Sequence, residues 1–284
     1  MLLKKALITT AGADQRKLAM QTLVDRDGIR KTVLEILIEE ARQAGIEEIG
    51  VVIHPGDLDV YTEIVANDQH IHFILQDKQL GYGYAVFCGA SFIGNEYFLH
   101  LVGDHLHVNR TNVPCAKHLT EIAKQNNCSV SAVTPTRENL IPYYGTIGGK
   151  RLPSTNDLYL IDKVIEKPTP TIAELKLIVP GLRTGHYLCF FGMHVLSPSV
   201  MSILEKKLKN ADGNKIGLSE TLNELAQKEQ YLALEKNDWR FDIGTRYGLF
   251  KAQLALALSG NDRDNVMAEL LEFFVLKNMN SVGR

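Results

Sequence analysis

Cysteine is scarce in this sequence and never closely paired: Cys88, Cys115, Cys128 and Cys189 lie far apart, at spacings that suit neither a zinc site nor a dithiol redox motif. A reducing cytoplasm is the expected setting. Neither sign of charge is in excess. The 31 Lys and Arg against 33 Asp and Glu leave a formal net charge of -2, so no basic field exists to attract nucleic acid or an anionic membrane. Long apolar runs are missing as well. No stretch approaches the roughly 20 residues of a bilayer-spanning helix, and the run after Lys4 and Lys5 is too short for a secretory leader. Repeats and low-complexity segments are absent, and no linker is rich enough in Pro, Gly or Ser to part independent domains.

What is there is an alternation of strand and helix patterns in a chain of 284 residues, long enough for one sizeable core. An opening apolar strand stops at Ala11-Gly12, a turn that would deliver backbone N–H groups to one sheet edge. Thr32 and Glu35 have capping-box spacing, and Val33, Leu34, Leu37, Ile38, Ala41 and Ala44 recur at helical intervals until Gly45. Ile49 to Pro55 then reads as a strand covered on both faces, which completes a right-handed βαβ unit. A second unit has a strand over His72 to Gln76, a helix over Tyr84 to Phe92 and a strand over Tyr97 to Asp104. A helix over Pro114 to Gln125 and a strand over Ser129 to Thr134 follow. From Thr136 to about Pro180 the pattern loosens, with a turn expected at Gly148-Gly149 and prolines at 153, 168, 170 and 180, and this part is expected to be inserted over the sheet. Tyr187 to Leu196 restores strand character, Leu218 to Lys228 reads as a helix, and Tyr247 to Phe274 is mostly helical. The expected fold class is α/β: a Rossmann-like mixed, mostly parallel sheet with helices on both faces.

Four stretches carry candidate chemistry. The first is the Ala11-Gly12 turn. In the second, Gln76 to Val86, Gly81 and Gly83 open a helix so that a flat ring can approach backbone unhindered. The third ends at Asp104, an acid at the carboxyl end of a long apolar strand, which suits either a magnesium ligand or a helix cap. His105 and His107 beside it read as surface or satisfied groups. The fourth pairs Val164 to Pro168 with Trp239 to Thr245. An extended backbone would set Glu166 and Lys167 on opposite sides, one for a sugar hydroxyl and one for a phosphate, and Asp242 offers a second carboxylate that would bracket one magnesium ion with Asp104.

In order, ALITTAG, ARQAGIEEIGVVIHP, Gln76 with LGYGYAV, the Asp104 strand end, YYGTIGG, VIEKP, FFGMHVL, IGLSETLNELAQKE and FDIGTRYGLFKA resemble the bacterial sugar-1-phosphate nucleotidyltransferases, most closely the UTP:glucose-1-phosphate uridylyltransferase family. The resemblance implies the nucleotide-diphospho-sugar transferase fold in a single domain over 1–284. Its nucleotide-binding half would be 1–135, its sugar-phosphate half 136–246 and a helical segment 247–284. It also implies Mg2+ as cofactor and an NTP and a sugar 1-phosphate as substrates. By position it assigns Ala11, Gly12, Gln76 and Gly81 to the nucleotide, Asp104 and Asp242 to the metal, and Gly145, Glu166, Lys167 and Gly192 to the sugar phosphate, with Arg16, Asp104 and Lys167 as the catalytic groups. The apolar C-terminal stretch of Leu270, Leu271, Phe273, Phe274 and Leu276 can pack either on the body or on a partner, and a homo-oligomer is expected.

The opening turn departs from the family pattern. Asp14 stands where the family has a glycine, the segment before Leu23-Val24-Asp25 is shorter, and the family lysine falls near Leu18, beside Lys17. A carboxylate there repels a triphosphate. Two readings stay open: a divergent enzyme in which Arg16 and Lys17 take over phosphate contacts, or a catalytically impaired relative that binds nucleotide or nucleotide sugar as a regulatory subunit.

Overall fold

A computed structural model describes residues 1–12, 16–66, 68–111 and 113–281, with side chains as far as residue 276. Expectations that rest on Asp14 lie outside the described residues. Strand β1 (Leu3–Thr9) buries Ala6, Leu7 and Ile8 in succession, as a central strand covered on both faces must. A small hairpin of β2 (Thr22–Val24) and β3 (Arg30–Thr32) leads into α1 (Val33–Gln43). The helix starts at a full capping box: Thr32 Oγ1 accepts the Glu35 N–H at 3.2 Å, and the Glu35 carboxylate accepts the Thr32 N–H at 2.6 Å. Its inner face buries Val33, Leu34, Leu37, Ile38 and Ala41. Each large aliphatic there contributes about 1.5–3 kcal/mol. β4 (Glu48–Ile53), α2 (Leu58–Ile64) and β5 (Ile71–Leu75) complete the first unit, with β4 parallel to both β1 and β5.

The single helix expected over Tyr84 to Phe92 is two, α3 (Tyr82–Cys88) and α4 (Ala90–Ile93), divided at Gly89. A Cβ on Gly89 would stand 2.6 Å from Leu7 Cδ1, so α3 lies on β1 at a distance only glycine permits. Then come β6 (Tyr97–Val102), β7 (His105–Val108), α5 (Cys115–Asn126) and β8 (Ser129–Arg137). β9 (Gly145–Arg151), β10 (Leu158–Glu166), α6 (Pro170–Lys176) and β11 (His186–Leu196) follow. The chain ends with α7 (Ser199–Lys209), α8 (Leu218–Lys228), β12 (Tyr231–Glu235), β13 (Trp239–Asp242), α9 (Gly248–Leu258) and α10 (Arg263–Ser281).

The main sheet has the order β5-β4-β1-β6-β11-β8-β12-β10-β9, and the ladder directions make all of its strands point one way except β10 and β11. Helices cover both faces. Ala6 and Ile8 join Leu34 of α1 and Leu119 of α5 in one core cluster, whereas Leu7 joins Val86 of α3, Leu204 of α7 and Leu222 of α8 in the other. Among the described residues no helix is long and apolar enough to cross a membrane.

The segment expected as an insertion over the sheet is part of it. β9 and β10 extend the sheet, and Gly148-Gly149, expected as a turn, lie within β9. A Cβ on Gly149 would meet Leu160 O at 2.1 Å, so these glycines let two strands approach closely rather than reverse the chain. β9 also pairs with β11, which closes β11, β8, β12, β10 and β9 into a ring. Along β11, Leu188 and Cys189 pair with β9, whereas Met193 to Leu196 pair with β6. The fork between those partners falls at Phe190 to Gly192, where the ladder to β8 also shifts register.

Candidate active site

Chain direction puts the ends of β1, β4, β5 and β6 at one edge of the sheet, the edge where open α/β sheets take ligands. Asp104 follows β6 there. The two-stranded ribbon of β7 and β13 sets Asp242 opposite His105, and the Ile243 N–H donates to Asp104 O at 2.9 Å. Residues nearly 140 positions apart in the chain thus meet. The Gly244 N–H donates to Asp242 Oδ1 at 2.9 Å, and a Cβ on Gly244 would lie 3.3 Å from Asp242 Oδ1 and 3.9 Å from Asp104 Oδ2. Both carboxylates therefore flank one glycine. His105 Nδ1 lies 2.8 Å from Asp104 Oδ1 and fixes that side chain. Among the described residues no group of three His, Cys, Asp or Glu is placed to cage a metal. Two carboxylates on an open edge are nevertheless a donor set that fits Mg2+, which keeps water and phosphate oxygen as its other ligands.

Facing these carboxylates across a cavity of about 330 Å³ stand Gly145, Glu166, Lys167 and Gly192. The Ser219 hydroxyl donates to Glu166 Oε2 at 2.5 Å. Glu166 and Lys167 were expected on opposite sides of an extended backbone, but Lys167 has φ +46, a left-handed kink before Pro168. The kink brings both side chains to the cavity, with Lys167 Nζ 4.0 Å from Glu166 Oε1. Such a conformation costs about 1–2 kcal/mol at a non-glycine residue. Gly145 begins β9, and a Cβ there would meet Phe190 at 2.8 Å and Ser219 Oγ at 2.9 Å. Gly192 has φ +88 at the fork of β11, and a Cβ on it would stand 3.2 Å from the His105 ring. The bulge thus leaves room for the imidazole that holds Asp104.

The remaining expected residues lie along the same edge but do not line this cavity. Ala11 is buried and its carbonyl accepts from Gln79 Nε2 at 3.1 Å, whereas Gly12 O accepts the Arg16 N–H. Gln76 is buried just past β5; its Nε2 donates to Lys78 O at 2.9 Å, and its Oε1 has no hydrogen-bond partner among the described residues. Gly81 has φ +93 and packs against Ile216, whose O would lie 2.6 Å from an added Cβ. Arg16, expected among the catalytic groups, makes a two-pronged pair with Asp57 past β4, with both contacts at 2.7 Å. That hydrogen-bonded pairing raises the Arg16 pKa and lowers that of Asp57.

Tyr82, His105, His194, Ser219 and Arg240 line the cavity without having been singled out as site residues from the sequence. His105 had a signal, its place next to Asp104. Arg240 had another, since it sits two residues before Asp242 and strand alternation puts both on one face. Tyr82 and His194 had none, because their roles rest on β6 and β11 being neighbours. The Tyr82 hydroxyl donates to His100 Nε2 at 2.5 Å, since His100 Nδ1 must donate to Leu7 O at 2.9 Å. Desolvation of its hydroxyl, reinforced by the charge of Asp104, pushes the Tyr82 phenol above its ordinary pKa, although the residue as a whole is 37% exposed.

The family described as nucleotidyl transferase matches residues 23–258, beginning beyond β1 and the shortened turn. The chain is 28% identical to a UTP–glucose-1-phosphate uridylyltransferase of Mycoplasma genitalium, with 96% of this chain and 98% of that one aligned. It is 27% identical to the Streptococcus pneumoniae protein of the same name, over 90% of each chain. A solved UDP-glucose pyrophosphorylase from Acinetobacter baumannii superposes with a TM-score of 0.75 at 22% identity, covering 96% of this chain and 100% of that one, and so shares its fold. With its sheet, its edge and its order of motifs all accounted for, the chain belongs to the nucleotidyl transferase family.

Proposed function

We propose that this protein transfers the uridylyl group of UTP to glucose 1-phosphate, the activity that the names of its relatives give for them, releasing pyrophosphate and leaving UDP-glucose. The observation that carries the reading is the convergence of Asp104, Asp242, Glu166 and Lys167 on one cavity, although they come from widely separated parts of the chain. In the proposed reaction an oxygen of the sugar phosphate forms a bond to the α-phosphorus of UTP as the bond from that phosphorus to the β-bridging oxygen breaks. No covalent nucleophile is needed, so positioning and charge carry the catalysis. Glu166, fixed by Ser219, would accept a sugar hydroxyl, and Lys167 would set its charge beside the phosphate. Asp104 and Asp242 would hold Mg2+, which when bound neutralises phosphate charge. The unpaired Oε1 of Gln76 is an acceptor suited to the imide N–H of uracil, next to the Ala11-Gly12 turn and Gly81. In this reading 1–135 serves the nucleotide, 136–246 the sugar phosphate, and 247–284 is a helical appendage.

A cytoplasmic setting is supported by the four cysteines, all free thiols. A homo-oligomer is supported by α10, where Leu271, Phe273, Phe274, Val275 and Leu276 are each more than half exposed. Light scattering on the purified chain tests that association.

The test of function is pyrophosphate release with Mg2+, UTP and glucose 1-phosphate. Turnover that Asp104→Ala abolishes is the expected result. A folded protein that binds UDP-glucose yet turns over no pairing of NTP and sugar 1-phosphate would be a binding subunit, and the transfer reading would fall.

A further inference from the structure

Among the described residues Arg240 is a cation without an ion pair. It lines the cavity from β13, half-buried, and among the described residues no carboxylate pairs with it. Its guanidinium carbon lies 4.1 Å from the centroid of the Tyr144 ring, and Nη1 donates to Phe190 O. That carbonyl belongs to the fork of β11, where neither β6 nor β9 is the neighbour; the next carbonyl, Phe191 O, is taken by His107 Nε2 at 2.9 Å. The fork thus supplies an anchor and Tyr144 supplies a platform. A guanidinium has five N–H donors in a planar fork, and here one nitrogen is engaged by protein.

Lys167, the other cation of the cavity, is 60% exposed and only 4.0 Å from Glu166, so its charge is partly spoken for and its stem is free to move. Arg240 is held on two sides and uncompensated. The cavity also carries three carboxylates, Asp104, Glu166 and Asp242, and two of them are suited to a divalent cation. A half-buried, stacked guanidinium left unpaired among carboxylates that have other partners is a site for an incoming anion.

We propose that Arg240 is a phosphate-binding residue that receives the phosphate of the sugar 1-phosphate. Its neighbours point to that ligand rather than to the triphosphate: Arg240 stacks on Tyr144 and bonds Phe190, Phe190 adjoins Gly145 and Glu166, and neither Ala11 nor Gly12 lines this cavity. A dianionic monoester presents the paired oxygens that a planar fork matches, which a lysine cannot. Arg240 thereby supplies a rigid positive charge in a chain whose opening turn is short and whose Arg16 is held by Asp57. The inference deepens the transferase reading and rests on it.

The experiment is steady-state pyrophosphate release by the full chain, with KM for glucose 1-phosphate and for UTP measured separately in wild type, Arg240→Lys, Arg240→Gln and Tyr144→Leu. Calorimetric titrations with glucose 1-phosphate and with inorganic phosphate accompany the kinetics. Arg240→Gln is expected to raise KM for glucose 1-phosphate by about 10- to 100-fold while KM for UTP stays within about threefold, the size of one lost charge-assisted contact. Arg240→Lys should fall between, and Tyr144→Leu should shift the same constant in the same direction. An unchanged KM for glucose 1-phosphate overturns the proposal, and so does a rise confined to UTP, which would hand Arg240 to the nucleotide phosphates. If Arg240→Gln does not fold, the charge-conserving Arg240→Lys decides, because loss of the fork geometry alone must weaken sugar phosphate. A wild-type protein that neither binds glucose 1-phosphate nor turns it over overturns the transferase reading instead.

Discussion

His105 ties the two walls of the cavity together, with Nδ1 on Asp104 and its ring in the space that Gly192 leaves open. His105→Ala should therefore cost about 10- to 100-fold in activity or metal affinity, the usual loss when a partner of a metal-binding carboxylate is removed. A higher Mg2+ concentration for half-maximal pyrophosphate release is the measurement. Gly192→Ala adds a side chain where φ is +88 and the imidazole is 3.2 Å away, so it should lose about 1–2 kcal/mol of stability in a urea melt as well as Mg2+ affinity. At this scale the sequence disclosed the acids more readily than the bases. Asp104 was visible as a candidate because an acid ending an apolar strand suits either a ligand site or a helix cap, and β7, not a helix, follows it. The side on which Lys167 falls was not, because its left-handed φ runs against what the residue before a proline normally adopts.

Among the elements, α1 was the easiest to see, since its cap and its apolar stripe are both written in local sequence. Thr32→Ala removes one half of the capping box and should cost about 1 kcal/mol, read as a lower urea midpoint with unchanged slope. β9 and β10 were hidden by their own packing. Gly148-Gly149 looks like a turn in sequence, yet Gly149 sits within a strand because Leu160 O leaves no room for a side chain. α8 was found at its observed limits from a clean helical period, whereas β12 and β13 are too short for any periodicity to speak. Strand pairing, not composition, decides what those two do.

On the scale of the whole molecule, neutral histidines sit where the two halves of the sheet join. His100 and His194 face each other across β6 and β11 with rings stacked 5.9 Å apart, and Ser131 Oγ lies 2.6 Å from His194 Nδ1. Burial lowers the pKa of His100 to about 4, that of His107 to about 3 and that of His194 well below its ordinary value. The unfolded chain takes up these protons near pH 6.5 and the native chain does not, so stability is full above that pH and falls as pH drops from there through about 4. For His100 alone the loss over that window is ~3 kcal/mol. Urea melts at pH 7 and 4.5 should show a steep loss in the wild type and a smaller one in His100→Gln, whose amide can still bond both neighbours. The α/β class and the order of motifs were legible at this scale from alternating periods. The closed ring and the fork were not, because both follow from β9 pairing with β11 across a long stretch of chain.

The position of β12 and β13 has a consequence for a chain that is made from one end. β12 lies between β8 and β10, so until residue 235 has left the ribosome both of those strands present an open edge. A nascent chain that has already folded β1 to β6 owns Asp104 but not its companion, since Asp242 arrives on the last strand of all. On the proposed metal site, translation would complete the pair of carboxylates only in a late step, and an unfinished copy would lack half of that pair.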